Sequence, residues 1–237
     1  NYIPATGDTI AVHPAAETGI GIEVNDFMDG SNNTLGFYIA ELYQGDVLQS
    51  RIRLDDIGYQ ETRYLHAYTD YKTRHEKRNW IQCFFRLPGN QLHKIYDTLN
   101  TLQGQLKAPT NGAQEVRIVI KDVYNNQSHV RFFLRADSSR SRATTGNCTT
   151  SFRVSEMNQF ETNNLSLALD PDALYTDICF ELDKKADANS YSDRFQVHHA
   201  ATPVHSYFDL KIKPSRPIPF NLQDKIALLY HDGKKET

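Results

Sequence analysis

The sequence is poor in the residues that usually announce a chemistry. Its 237 residues include three cysteines, two methionines and one tryptophan. Cys83, Cys148 and Cys179 lie far apart, and an odd count without a close pair argues against a disulfide framework and against a cysteine-rich zinc site. Cys83 and Cys179 sit in apolar, strand-like runs and Cys148 in a polar stretch, so two buried thiols and one exposed thiol are expected. No apolar run approaches the roughly 20 residues that a membrane-spanning helix needs. The formal net charge is −3, which disfavours nucleic-acid binding through bulk positive charge. There is no glycine-rich phosphate loop, no Gly-x-Ser-x-Gly turn and no His-Glu-x-x-His helix, so no cofactor is expected. The chain opens Asn1-Tyr2-Ile3-Pro4 with no recognisable signal segment and reads as a mature product or an excised fragment.

What is present is mostly β pattern. Residues 1–18 read as a linker or lead-in strand, and Gly19–Val24 as a short strand. Asp29–Asn33 form a turn cluster. Phe37–Tyr43 and Val47–Leu54 flank Gln44-Gly45-Asp46 as a hairpin. The clearest hairpin is Glu115–Arg135. Val116, Ile118 and Ile120 alternate with Arg117, Val119 and Lys121, Asn125-Asn126 suits a tight turn, and Val130, Phe132 and Leu134 return on the inward face. Helical spacing is expected over Glu61–Arg78 and over Leu92, Ile95, Leu99 and Leu102, with a strand over Trp80–Leu87 between them. Residues 137–150 lack any apolar period and read as a linker between modules at 19–136 and 151–237. The second module is expected to hold strands at 151–154, 165–169, 177–182, 194–198, 207–212 and 225–230. Its last strand has no partner, which suggests that the native chain continues past Thr237 or that another element pairs there.

Candidate chemical groups are sparse. His66 and Asp70 form a His-x-x-x-Asp pattern, but no His-x-His completes the three-ligand zinc set that a hydrolytic site requires. His198, His199 and His205 cluster in sequence, with Asp209 as a further candidate. Alternation places His198 and His199 on opposite strand faces, so packing roles are expected. Asp55, Asp56 and Glu61 read as solvated loop carboxylates. No residue is assigned a catalytic or metal-binding role. The densest feature is the block of Tyr64, Tyr68 and Tyr71 at helical spacing with Arg63, Lys72, Arg74, Lys77, Arg78 and Trp80. These six basic and aromatic residues form the candidate interaction surface, and the tyrosines a rigid brace packed over one sheet.

Two stretches carry a resemblance. Gly19-Ile-Gly-Ile-Glu-Val-Asn-Asp26, Glu61-Thr-Arg-Tyr-Leu-His-Ala-Tyr-Thr-Asp-Tyr71, Leu87-Pro-Gly-Asn90 and Ile120-Lys-Asp-Val-Tyr-Asn-Asn126 resemble the Ig-like module that follows the catalytic domain in lysostaphin-like (LytM-type) zinc peptidoglycan metallopeptidases of Bacteroidetes. Leu169-Asp-Pro-Asp-Ala-Leu-Tyr175, Thr202-Pro-Val-His205 and Phe208-Asp-Leu-Lys-Ile212 are similar to the β module next in line and to ZU5-type sandwiches, with Asp172 where that module usually carries glycine. The resemblance implies two Ig-like or ZU5-like β-sandwich modules, with short helical insertions in the first. It implies a non-catalytic accessory region of a periplasmic or outer-envelope enzyme. Its partners would be an envelope protein, the enzyme's own catalytic domain or peptidoglycan, and no nucleic acid. A stand-alone envelope binding or assembly protein is the alternative.

Overall fold

In this computed structural model, residues 5–27, 30, 33–140 and 148–230 are described. Six strands, β1 (Thr9–Val12), β2 (Ile39–Gln44), β3 (Val47–Arg53), β4 (Tyr96–Leu99), β5 (Ala113–Lys121) and β6 (Gln127–Ala136), form one sheet in the order β1-β6-β5-β2-β3-β4. All pairings are antiparallel except that of β1 with β6. Both predicted hairpins are found. The β5–β6 turn is held by the Asp122 carboxylate, whose Oδ1 accepts from the amides of Tyr124 and Asn126, while Asn125 takes φ 67°.

Strand alternation then fixes the core. Val116, Ile118, Ile120, Phe132 and Leu134 point to one face with Ala40, Leu42 and Ile52. A second layer covers that face. It consists of the ribbon Gly21–Ile22 with Gln82–Cys83, helix α1 (Leu65–Tyr68), the ribbon Glu17–Thr18 with Leu106–Lys107, and connecting segments carrying Phe37, Phe84, Leu92 and Ile95, while helix α2 (Tyr71–Lys77) lies outside that core. Polar pins tie the layers together. Ser50 Oγ donates to the Phe84 carbonyl at 2.6 Å and the Tyr96 hydroxyl donates to the Phe85 carbonyl at 3.1 Å.

A second, separate core gathers Phe152, Val154, Leu165, Leu167, Leu169, Leu174 and Phe180. Its sheet places β8 (Leu165–Leu169) between β7 (Asn158–Glu161) and β11 (Asp209–Ile212). β9 (Leu182–Lys185) pairs with β10 (Arg194–Val197), and Ser151–Phe152 with Ile178–Cys179. The protein is mostly β, with short helical turns mainly in its first half and a further 3₁₀ turn at Phe220–Lys225, a β-sandwich-like fold.

Several expectations from sequence are corrected. Cys148 and Cys179 form a disulfide with Cα atoms 5.4 Å apart, and only Cys83 is a free, buried thiol. The 31-residue spacing conceals the pair, which becomes adjacent only because Ser151 aligns with Cys179 across the ribbon. The helix expected over Leu92–Leu102 is a 3₁₀ turn, His93–Ile95, followed by β4, because pairing with β3 overrides the helical period. Within Trp80–Leu87 only Gln82–Cys83 is strand. Gln82, Cys83 and Phe84 are buried in succession because this segment is enclosed on both sides: it pairs with Ile20–Ile22 on one edge, and Gln82 bridges Thr69 on the other. Glu61–Arg78 is broken into a 3₁₀ turn and two helices. Lys225–Tyr230 is not a strand, and Ile226, Leu228, Leu229 and Tyr230 are exposed. The expected Asp29–Asn33 turn, the middle of the 137–150 linker and the chain beyond Tyr230 fall partly or wholly outside the described residues.

Candidate functional site: the seam between the two cores

The tyrosine-rich block does two jobs. Tyr68, on α1, is buried in the first core, its ring edge-on to Tyr96. Burial, with the Cys83 thiol beside it, raises its hydroxyl pKa far above the ordinary phenol value. Tyr64 packs at the margin of the first core and also meets the second half. Its ring stacks on His205 with centroids 4.1 Å apart and meets Tyr175 edge-on at 6.2 Å.

Hydrogen bonds lock this contact. The Tyr175 hydroxyl donates to the Arg63 carbonyl at 2.8 Å and lies 3.0 Å from His205 Nδ1. A phenol has one proton and it is spent on Arg63, so His205 must carry its own proton on Nδ1 and donate it to the Tyr175 oxygen. Arg63 Nη1 donates to the His205 carbonyl at 2.9 Å, and its guanidinium lies 5.0 Å from the centroid of the Tyr207 ring. Burial first, and the Arg63 charge second, hold the His205 pKa below the ordinary histidine value. His205 is positioned by its own amide, which bonds Ala173 O, and by the Leu174–Val204 bridge beside it.

A second strap lies close by. The Gly89 amide donates to the Tyr175 carbonyl at 3.0 Å. A Cβ at Gly89 would meet the Leu174 carbonyl and would lie 2.8 Å from Tyr175 Cα, so only glycine permits this backbone approach. On the far side, Asp172 adopts φ 64° and its amide bonds Val154 O. The position where the resembling module usually carries glycine is therefore one that demands a left-handed backbone.

The stretches that carry the sequence resemblance thus converge. Arg63-Tyr64 and Leu87–Asn90 come from the first half, and Leu169–Tyr175 and Thr202–His205 from the second. Sequence reading missed the partnership because Tyr175 and Arg63 are 112 positions apart. The available signal was the shared aromatic-plus-polar character of these stretches.

The candidate surface residues divide. Arg63 belongs to the seam. Arg74 lies over the Trp80 ring at 3.9 Å, while Lys72, Lys77 and Arg78 are exposed on or beside α2. Asp70 caps α2, with Oδ1 accepting from the Thr73 amide at 3.0 Å, and His66 packs against Tyr71. Asp56 and Glu61 both pair with Lys94, and Asp55 pairs with Arg53. His198 and His199 do not sit on opposite faces as expected. Their rings are 4.7 Å apart because His198 takes φ 54° at the end of β10, and His199 reaches Glu181. Asp209 is exposed on β11. Among the described residues no group of three or more His, Cys, Asp or Glu is arranged to hold a metal.

Residues 149–237 match the family model of the Zu5-like domain, the part of the chain that supplies Tyr175 and His205 to the seam. This points to a non-catalytic protein-interaction role for that half. No curated protein and no solved structure matches the chain.

Proposed function

We propose that the chain is a non-catalytic accessory region of a cell-envelope peptidoglycan metallopeptidase. Two β-sandwich-like modules, residues 19–136 with the lead-in strand Thr9–Val12 in its sheet and residues 151–237, joined by a linker at 137–150, hold the enzyme in position or dock it on envelope partners. The observation that carries this reading is the seam. Its hydrogen bonds, stacked rings and glycine-only approach fix the angle between the two cores, as a positioning element requires. The Zu5-like match in the second half supports an interaction role, and the Cys148–Cys179 bridge suits an oxidising compartment such as the periplasm. Exposed Lys72, Lys77, Arg78 and the Arg74–Trp80 pair supply a surface for an envelope partner or a glycan.

The open reading frame around Asn1 tests this. An upstream domain with His-x-x-x-Asp and His-x-His supports the accessory role, whereas a signal peptide immediately before Asn1 favours a stand-alone envelope protein. The purified chain should contain no stoichiometric zinc and should not cleave peptidoglycan peptides. About one zinc per chain, lost on His66→Ala, would overturn the non-catalytic reading.

A further inference from the structure

The six-stranded sheet has a second face, away from the first core, and it carries a cluster of cations. Alternation puts six cations there: Arg51 and Arg53 on β3, Arg117 and Lys121 on β5, Arg131 and Arg135 on β6. Three carboxylates on its strands, Glu41, Asp97 and Glu115, and two at their ends, Asp55 and Asp137, share the face.

Most of these cations are spoken for. Arg51 and Lys121 clasp the buried Glu41 carboxylate at 2.7 and 3.1 Å. Burial alone would raise the Glu41 pKa, but hydrogen bonds from Lys121 and Arg51 outweigh it and hold the group ionised below its ordinary value. Arg53 pairs with Asp55 and Asp97, and Arg135 with Asp137. Arg117 and Arg131 are different. They are directly opposite each other in the β5–β6 register, and among the described residues neither forms an ion pair. Like charges facing each other across strands cost stability. Arg117 is further held over the Tyr43 ring at 4.3 Å, which fixes its planar guanidinium in place.

We propose that this outer sheet face, centred on Arg117 and Arg131, docks an acidic, extended segment of a partner protein, a proposal that rests on the interaction role argued above. Paired guanidinium forks recognise carboxylates bidentately. Cations four residues apart on one strand, such as Arg131 and Arg135, are about 13 Å apart, matching carboxylates at the same interval on an extended chain. Glu41, Asp97 and Glu115 among the cations disfavour a uniformly dense polyanion, so sparse carboxylates fit better than polyphosphate.

The test is fluorescence anisotropy on the full chain with a labelled hexaglutamate peptide at low ionic strength, with inorganic polyphosphate as a competitor. The expected result is weak, salt-sensitive binding that falls at least tenfold in Arg117→Ser/Arg131→Ser and is partly kept in Arg117→Lys/Arg131→Lys. Binding should be unchanged in Lys211→Ser, an exposed cation on the second sheet. The serine pair removes the repulsion and the Arg117–Tyr43 contact together, effects of similar size and opposite sign, so its melting temperature should stay close to wild type and lost binding is not lost folding. Absence of peptide binding, equal loss in Lys211→Ser, or tighter binding of polyphosphate would each overturn the proposal. Those outcomes would leave the reading-frame and zinc tests of the accessory role untouched.

Discussion

The Tyr175 hydroxyl donates to the Arg63 carbonyl at 2.8 Å across 112 positions of sequence, and the same oxygen lies 3.0 Å from His205 Nδ1. One phenolic oxygen therefore ties a loop of the first core to two segments of the second. Tyr64 stacked on His205 closes the arrangement from above.

Tyr175→Phe keeps the buried ring and removes the hydroxyl. It leaves the His205 Nδ1 proton and the Arg63 carbonyl without that partner, at a cost of about 1–3 kcal/mol. Urea denaturation of the two proteins measures it. Equal stabilities would show that water replaces the hydroxyl without loss.

Asp172 holds φ 64°, a conformation that costs a side-chain-bearing residue more than glycine. Asp172→Gly should raise stability by a few tenths up to about 1 kcal/mol, the relief being partly offset by the freer unfolded chain. Asp172→Val should lower it. Melting temperatures moving in the reverse order would contradict the left-handed assignment.

Burial and the Arg63 charge depress the His205 pKa, so the unfolded chain binds a proton more readily than the folded one. Stability is then fully present above the ordinary histidine pKa of 6.5 and is lost as pH falls below it. His66 and His198 are also depressed, mainly by burial, and act in the same direction. Denaturation between about pH 7.5 and 5 should show a steeper decline for wild type than for His205→Gln. Parallel curves would remove His205 from the account.

The Cys148–Cys179 bridge closes a 31-residue loop, for which loop-closure entropy corresponds to about 3–4 kcal/mol. Cys148→Ser/Cys179→Ser should lose roughly that much, and so should wild type under reducing conditions. Thiol titration should find one reactive group, Cys83, and only after unfolding. Burial, with the Asp70 charge adding to it, pushes that thiol up to about 12 and shields it from reagents.

Much of the first sheet was legible in the sequence because period-two alternation in 113–136 and the Gly45-Asp46 turn are local signals. Segments whose form is set by tertiary partners were not. Leu92–Leu102 has helical spacing but yields to the edge of β3, and Gln82-Cys83-Phe84 are buried in a row because the segment is enclosed between Ile20–Ile22 and Thr69. The candidate site was half legible. The tyrosine block stood out as unusual, and Tyr68 is buried over the sheet as a brace should be. Nothing local, however, announces that Tyr64 and Arg63 serve a histidine in the other half. The outer-face arginines escaped notice because each looks like an ordinary solvated residue until the register sets Arg117 against Arg131.

The seam couples the two cores into one positioning unit, and Gly89 sits where that coupling is tightest. Scanning calorimetry of the full chain should give one cooperative transition for wild type. In Gly89→Ala the new methyl meets the Leu174 and Tyr175 backbone, which cannot yield, so the transition should split in two as the cores melt separately. Two independent transitions in wild type, unchanged by Gly89→Ala, would contradict the account.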